Sequence, residues 1–299
     1  MDKNPVMLTV IIVTFNQKDY IAKALDSVLE QETEYLYQIW LCDDCSTDGT
    51  LLICEEYAKR YPDKIKLFAQ PQNTFSDPRQ VFHGHVAIKN VNTKYWCCLD
   101  GDDAWCDPQK IQIALSVLEN NPEYVTFAHD TLCVDVENKT KRSQVHEIHR
   151  IEIQNPLVFE NAPYLHTSAR VHRSVIKYSK KSKIHGDIYL FYSYLDKGPL
   201  YYYDKIMSVY NITGRGTWSG LSVAVIERLA VIDNYQLNKY FNCRYDEYFT
   251  RRARNPKTLL MLKRIISKKL AWEIWFFLKF VENVFVNFKS KIFRITGKK

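Results

Sequence analysis

The chain has little of the residues that mark unusual protein classes. Its 299 residues include only 9 glycines and 10 prolines, which excludes collagen-like and low-complexity chains. Hydrophobic residues make up 46% and charged residues 25%, a balance that excludes an intrinsically disordered chain. At about 150 residues per domain, the length fits one large α/β domain or two smaller domains.

Signals for export or for crossing a membrane are also missing. No apolar run reaches the roughly 18 residues that a membrane-spanning helix needs. The apolar run Val6–Val13 is short, follows the acidic Asp2 and lacks a cleavage site, so it predicts a buried strand and not a signal peptide. The eight cysteines are scattered, which favours reduced thiols in a cytoplasmic protein over a disulfide framework.

Positive charge is confined to the C-terminal part of the chain. The net charge is +7. Residues 251–299 carry 14 Lys and Arg against Glu273 and Glu282, a net +12, which leaves residues 1–250 with 27 basic and 32 acidic residues, a net −5. The basic character therefore belongs to the tail, and most of the protein is mildly acidic.

Hydrophobic periodicity predicts a parallel sheet covered by helices in the first hundred residues. The predicted strands are Val6–Thr14, Tyr37–Cys42, Ile65–Ala69 and Tyr95–Leu99, and the predicted helices between them are Lys18–Leu29, Gly49–Arg60 and Val81–Val91. Further along, we expect helices at Asp107–Leu118 and Gly186–Leu195, strands at Tyr124–Val136, Gln144–Glu152, Leu200–Tyr203 and Ile206–Ile212, and mostly helix beyond Leu221.

Acidic side chains follow two of the predicted strands where each strand ends. Asp43 and Asp44 follow one strand, and Asp100, Asp102 and Asp103 follow another. Carboxylates this close repel one another, so a buried position for them is costly unless a cation or hydrogen-bond donors compensate. Hard oxygen ligands suit Mg²⁺ or Mn²⁺. A solvated acidic loop is the alternative, but the second acidic pair at a neighbouring strand end favours a metal site.

Five segments resemble the inverting glycosyltransferases of family 2, which have the GT-A fold. They are VTFN at 13–16, DDCSTDGT at 43–50, KYWCCLDGDDAW at 94–105, and HGD at 185–187 followed by YNITGRGTWSG at 210–220. The resemblance implies an α/β fold with a Rossmann-like, mainly parallel central sheet flanked by helices, and a C-terminal helical extension. It implies a nucleotide-sugar half at 1–105, an acceptor and catalytic-base half of the same domain at 106–220, and a helical region with a basic tail at 221–299.

The resemblance also implies roles for individual residues. The donor, with a UDP-sugar favoured, would contact Val13, Thr14, Asn16, Asp43, Asp44, Arg79, Asp100 and Gly101. Asp102 is favoured as the direct ligand of Mn²⁺ or Mg²⁺, and Asp100 is shared between metal and ribose. Asp187 takes the position of the general base, with helix capping as its alternative role.

A looser set of residues would surround the acceptor or close over the donor. This set comprises Asp103, His166, Thr167, Ser168, His185, Arg215 and Trp218. Asp103 could instead orient its loop, His185 is a second candidate base, and Trp218 could be ordinary packing. The sequence departs from many relatives in having Gly186 before Asp187, where they carry Glu.

The tail from Leu270 to Ile295 is aromatic and amphipathic. On a helix, Lys279, Glu282, Asn283 and Asn287 share one face, and the apolar residues, among them Trp275, Phe277 and Leu278, form a broad second face. With its flanking lysines this pattern predicts an interfacial helix on an anionic membrane. Packing against the core or in a homodimer stays open, and no recognition module for nucleic acid is evident.

Together these features predict a metal-dependent inverting glycosyltransferase that is peripheral on the inner face of the cell membrane. Its acceptor would be a lipid-linked or cell-envelope saccharide, in lipopolysaccharide, capsule or other polysaccharide biosynthesis. One alternative is a sugar-phosphate nucleotidyltransferase, but Thr14–Gln17 lacks the Gly-rich basic loop of that class. The other is a non-catalytic membrane-associated protein with a degenerate site, against which the full set of acidic residues argues.

Overall fold

A computed structural model describes residues 5–74, 83–144, 152–153, 165–175, 186–214, 220–253, 256–264 and 266–279. The chain divides into two compact units. The first comprises Met1–Lys181 and Gly186–Gly220, and the second comprises Ser182–His185 and Leu221–Lys299. All eight cysteines are free.

The first unit is built on one ten-stranded sheet with the strand order β3-β2-β1-β4-β9-β6-β10-β5, where β7 pairs with β6 and β8 with β10. Its strands are β1 (Leu8–Thr14), β2 (Tyr37–Asp43), β3 (Ile65–Ala69), β4 (Tyr95–Asp100), β5 (Ala104–Trp105), β6 (Thr126–Asp135), β7 (Thr140–Ser143), β8 (Glu152–Ile153), β9 (Arg170–Arg173) and β10 (Leu200–Ile212). Its helices are α1 (Ile21–Leu29), α2 (Thr50–Arg60), α3 (His83–Asn90), α4 (Lys110–Asn120) and α5 (Gly186–Leu195).

The sheet combines a parallel half with a mixed half. Strand β1 pairs in parallel with β2 and β4, and β2 pairs in parallel with β3. Strand β9 is antiparallel to both of its neighbours, β4 and β6, while β6 and β10 are parallel. The predicted α/β fold, with a central sheet flanked by helices and a helical C-terminal region, is confirmed.

Apolar periodicity explains why the parallel half forms. Strand β1 is almost continuously apolar, as expected for a strand covered on both faces, and Leu8, Val10, Ile11 and Ile12 are fully buried. Helix α1 buries Ile21, Ala24, Leu25 and Val28, a spacing of three and four residues that places them on one face. All of these side chains except Ile11 belong to a single core cluster.

Two element boundaries differ from the sequence-based expectation. Helix α4 begins at Lys110 instead of Asp107, because the Asp107 carboxylate accepts a hydrogen bond from Gln109 N at 2.9 Å and holds a turn before the helix. The two strands expected at Leu200–Tyr203 and Ile206–Ile212 form one strand, β10, whose register against β6 shifts between them. Most of the strand expected at Gln144–Glu152 lies outside the described residues.

The second unit contains α6 (Val223–Tyr240), α7 (Asp246–Arg252), α8 (Pro256–Lys263) and a further helix, α9, at 268–279. Buried Asp246 joins them. Its carboxylate accepts two hydrogen bonds from Lys263 Nζ, at 2.7 and 2.8 Å, and one from Trp272 Nε1 at 2.7 Å. Asn238 Nδ2 of α6 lies 3.4 Å from the same carboxylate. One charged group therefore ties all four helices together.

Helix α9 packs differently from the expected interfacial helix. Trp272 and Trp275 are buried and meet edge to face, with ring centroids 5.3 Å apart. Trp275, which the sequence places on the apolar face, therefore packs within the unit, the alternative that the sequence left open, whereas Phe277 and Leu278 are exposed. Residues 280–299 lie outside the described part of the chain. None of the described helices is long and apolar enough to cross a membrane.

Replacing Asp246 by Ala should reduce the free energy of unfolding of the second unit by about 3–5 kcal/mol, because the Lys263 ammonium would be left without its counter-charge in a largely buried position. Urea titration followed by tryptophan fluorescence measures this loss. Glu247→Ala removes the adjacent, exposed carboxylate and serves as the control, with an expected change below about 0.5 kcal/mol. Equal losses for the two variants would contradict the role assigned to Asp246.

Candidate active site

Strand register brings the ends of β1, β2 and β4 to one edge of the sheet. Thr14 is the register partner of Asp43 on β2, and Val13 is the partner of Asp100 on β4. The two acidic positions therefore flank the end of β1 at nearly the same level. Ligands of open α/β sheets bind at this edge, beyond the carboxyl ends of the strands.

The loops after β1 and β2 are joined by hydrogen bonds. Asn16 Oδ1 accepts from Thr47 N at 2.8 Å, and Asn16 N donates to Ser46 Oγ at 3.0 Å. Gln17 N donates to Thr50 Oγ1 at 2.8 Å. Asn16 has a positive φ of 52°, a conformation that Asn tolerates better than most residues. Its side-chain oxygen thus serves the loop, although the sequence assigned this residue to the nucleotide.

Asp43 and Asp44 have different environments despite being adjacent. Asp44 Oδ1 accepts from both Thr74 N, at 2.9 Å, and Thr74 Oγ1, at 2.6 Å, so this carboxylate anchors the following segment. Asp43 Oδ2 accepts from Ser46 N at 2.9 Å, while Asp43 Oδ1 is buried with no hydrogen-bond partner in the described structure. A buried acceptor without a donor is costly, so Asp43 is the member of the pair that is poised for a ligand.

Gly101 allows the acidic loop to approach β1 closely. A Cβ at this position would lie 2.6 Å from Gln17 Oε1 and 2.8 Å from Thr14 Oγ1, and Gly101 N donates to Val13 O at 2.8 Å. Gln17 connects the same parts, since it accepts from Thr14 Oγ1 at 2.9 Å and its side chain also hydrogen-bonds Asp102. The absence of a side chain at 101 is therefore a packing requirement of the site.

Burial, together with mutual repulsion, disfavours negative charge in the acidic loop. Burial raises the pKa of Asp100 to about 7, and the charges of Asp102 and Asp187 add to this increase, while Arg170 opposes it. Burial also raises the pKa of Asp102, and it raises that of Asp103 well above its usual value with the help of Asp100 and Asp102. Such a cluster favours a bound cation.

Asp103 faces a second group of polar residues. Its Oδ1 accepts from Asn211 N at 3.1 Å, and its Oδ2 lies 3.7 Å from His166 Nδ1. His166 stacks on Tyr210, and burial, together with the charges of Arg170 and Lys110, lowers its pKa to about 3, so the ring is neutral at physiological pH. Ligand atoms of Asp100, Asp103 and His166 lie within 4.8 Å of one another, close enough to share a metal ion.

Asp187 lies in the first turn of α5 and is exposed. Its charge acts on both Asp100 and His166, so the structure brings the candidate base to the acidic loop. Arg170 is buried and connects this helix to the turn that carries Thr167, because its Nη1 donates to Asp187 O at 3.4 Å and its Nη2 donates to Thr167 Oγ1 at 3.2 Å.

A buried lysine holds the turn that carries Thr167 and Ser168. Lys110 Nζ donates to Ser168 O and lies 4.0 Å from the centre of the Trp105 ring. Burial lowers the pKa of Lys110 to about 7. Ser168 Oγ is occupied by His166 Nδ1 at 2.8 Å and Ser208 Oγ at 3.1 Å. Ser168 therefore has a structural part in the site.

The site residues assigned from the sequence differ in two ways from those that the structure describes. Arg79, His185, Arg215 and Trp218 lie outside the described residues. Gln17, Lys110, Arg170, Tyr210 and Asn211 belong to the site but were not anticipated. An isolated Arg or Asn in a strand pattern resembles any surface residue, and the Asn211 contact depends on β10 pairing with β5, about a hundred residues away.

The family model for glycosyl transferase family 2 matches residues 9–179, more than half of the chain. This chain belongs to that family. It is 30% identical over 128 residues to a protein of Bacillus subtilis named putative glycosyltransferase EpsE, a match that covers 43% of this chain and 44% of the relative. The chain spans less than half the length of the curated relatives it matches.

Solved structures share the fold of this family 2 chain at low sequence identity. The crystal structure of S. aureus TarS 1–349 in complex with UDP-GlcNAc gives a TM-score of 0.57 at 17% identity, covering 86% of this chain and 79% of that one. The mannosyltransferase PcManGT from Pyrobaculum calidifontis, in complex with GDP-Man and Mn²⁺, gives 0.51 at 16% identity, covering 79% and 63%. Both matches agree with the expected GT-A fold.

Loss of the proton from Asp100 should make the metal-free protein less stable as pH rises. The folded-state pKa of about 7 lies above the usual 3.8, so the stabilisation is full below about pH 4 and is lost as pH rises through 7. Melting temperatures across this range, relative to the Asp100→Asn variant, measure the effect. We expect the wild type to melt below the variant at pH 8 and to regain stability there with Mn²⁺.

The variant is the matched control because it keeps the shape of the carboxyl group without its charge. If the difference in melting temperature between the two proteins stayed constant from pH 4 to 8, the raised pKa of Asp100 would be refuted.

Proposed function

We propose that this protein is an inverting glycosyltransferase that moves a sugar from a UDP-sugar to a hydroxyl group of a lipid-linked or cell-envelope saccharide. The observation that carries the proposal is the meeting of Asp43, Asp100 and Asp187 at one edge of the sheet. Membership of family 2 and the nucleotide-sugar complexes of the two structural neighbours support it.

Asp43 would recognise the nucleotide base. Its unpaired Oδ1 is an acceptor, and the imide N–H of uracil is a matching donor. Ser46 N holds the other carboxylate oxygen in place at 2.9 Å. Hydrogen bonds that involve a charged group are among the stronger ones, so this contact favours a uridine nucleotide over cytosine, which lacks an imide N–H.

Asp100 and Asp102 would hold a divalent cation, Mn²⁺ or Mg²⁺. Burial, and then the charges of Asp102 and Asp187, raise the pKa of Asp100, so its charged form is stabilised by a cation, and carboxylate oxygens suit these ions. Asp103 Oδ1 accepts from Asn211, and His166 contacts Tyr210 and Ser168, which favours a supporting role for these two residues, although Asp103 Oδ2 is buried without a hydrogen-bond partner in the described structure. When bound, the cation neutralises charge that develops on the diphosphate leaving group.

Asp187 would remove the proton from the acceptor hydroxyl. Its position in the first turn of α5 leaves the carboxylate exposed to an incoming acceptor. Arg170 fixes the backbone of this turn relative to Thr167, so the base and the acceptor side are positioned together. Proton removal as the new bond forms raises the nucleophilicity of the hydroxyl oxygen, and attack from the face opposite the diphosphate gives inversion.

A peripheral position on the inner face of the cell membrane belongs to the same proposal, because a lipid-linked acceptor is presented there. The net positive charge of residues 251–299 supports this placement.

Asp43→Asn should weaken binding of UDP about 10- to 100-fold, because an amide oxygen can accept only one of the two donors that the carboxylate serves. Isothermal titration calorimetry with UDP, dTDP, GDP and CDP in the presence of Mn²⁺ measures the affinity and the base preference. Asp63→Asn changes an exposed carboxylate after α2 and should bind UDP like the wild type. A wild type that bound no uridine nucleotide would overturn the donor assignment.

Asp187→Asn should lower kcat for sugar transfer by about 10²- to 10⁴-fold while leaving the Kd for UDP-sugar nearly unchanged, because a base acts on the acceptor and not on the donor. The donors that titrate in calorimetry supply the substrates for this assay. Asp204→Asn, an exposed carboxylate in β10, is the control. Loss of donor binding together with transfer would assign Asp187 to the binding site instead of to proton removal.

A further inference from the structure

Helix α9 presents two apolar faces instead of one. Ala271, Trp272 and Trp275 are buried. At about 100° per residue, a second group of apolar residues falls within an arc of about 100° that adjoins the buried face. This exposed stripe consists of Leu270, Ile274, Phe277 and Leu278, in which Leu270, Phe277 and Leu278 are 49%, 63% and 40% exposed. Because Ala271, Trp272 and Trp275 make the contact with the core of the unit, the exposed stripe can make a different contact.

Helix α8 shows the same combination on a smaller scale. Leu259 is fully buried, whereas the next two residues, Leu260 and Met261, are 49% and 57% exposed. Lys257 and Arg264 lie three or four residues away from both, and therefore share their side of the helix. An exposed apolar pair is thus bracketed by two basic residues.

Charge in this part of the chain is almost entirely positive. Residues 256–279 contain six Lys and Arg and a single acidic residue, Glu273. Glu273 is occupied within the unit by Tyr235 and by Lys239 Nζ at 3.0 Å. Lys263 is likewise occupied by Asp246. Lys268 and Lys269, directly before the stripe, are exposed.

We propose that the exposed stripe of α9, together with the exposed side of α8, binds the surface of an anionic lipid bilayer. Apolar side chains flanked by lysines match the boundary between acyl chains and anionic headgroups. A second copy of the chain would place like charges against each other, which disfavours a dimer through this surface. This inference rests on the peripheral membrane position proposed above and assigns that contact to described residues, but it does not depend on the transfer chemistry.

The test is co-sedimentation of the full-length protein with vesicles. The wild type should bind vesicles that contain phosphatidylglycerol, bind pure phosphatidylcholine vesicles much more weakly, and lose affinity as salt screens the charges. Phe277→Ser with Leu278→Ser should weaken binding at least about tenfold, whereas Leu52→Ser, which removes a 71% exposed leucine from the first unit, should leave it unchanged.

The charge component is tested in the same way. Lys268→Glu with Lys269→Glu should weaken binding to the anionic vesicles by at least about tenfold, since each basic residue near the surface contributes roughly a fivefold gain. Lys23→Glu with Lys66→Glu reverses two exposed charges in the first unit and serves as the matched control. Unchanged melting temperatures show that the variants are folded.

Three outcomes would overturn the proposal. The first is that the wild type binds anionic and neutral vesicles equally. The second is that the stripe variant and the lysine variant both bind anionic vesicles as tightly as the wild type does. The third is that light scattering shows a dimeric wild type and a monomeric stripe variant, while the wild type does not bind vesicles. In that case a second copy of the chain would cover the stripe. Calorimetric titration with UDP gives a separate readout, so failure of the lipid proposal and failure of the donor assignment are distinguishable.

Discussion

Repulsion between carboxylates at the end of β4 is the constraint on which the rest of the first unit depends. Asp100, Asp102 and Asp103 lie in one short loop, and the charge of Asp187 reaches the same point from α5. The sheet cannot relieve this repulsion by moving one residue away, because β1 holds β4 in register and Gly101 fits against Thr14 and Gln17. A bound divalent cation would relieve this conflict and supply the chemistry expected of the site.

Two buried basic residues lie near this negative cluster, and the charge of Arg170 partly offsets it. Arg170 connects the turn that carries Thr167 to α5, and Lys110 donates a hydrogen bond to Ser168 O. Their charges help to keep His166 neutral, so the ring can stack on Tyr210. The acidic loop and the acceptor side are therefore coupled electrostatically as well as by contact.

The second unit also contains a buried carboxylate, but there it holds helices together. Asp246 is a buried carboxylate, but Lys263 and Trp272 satisfy it fully, so it stabilises helix packing and needs no ligand. Once α9 is fixed by this contact, an exposed apolar stripe adjoins its buried face. A buried carboxylate with hydrogen-bond partners thus stabilises packing, whereas one with an unpartnered oxygen, such as Asp43, indicates a ligand-binding site.

Side-chain periodicity and local motifs determined much of this protein from its sequence: the alternation of strands and helices, the order of the acidic positions and the family. These features depend on residues close together in the chain. Tertiary structure alone decided that Asp44 is anchored by Thr74 while Asp43 keeps a free oxygen, and that Arg170 and Asn211 join the site. It also decided that Trp275 is buried although its helical pattern matched an interfacial face. In each case the deciding partner comes from a distant segment, and strand pairing or helix packing, which no local pattern encodes, brings it into contact.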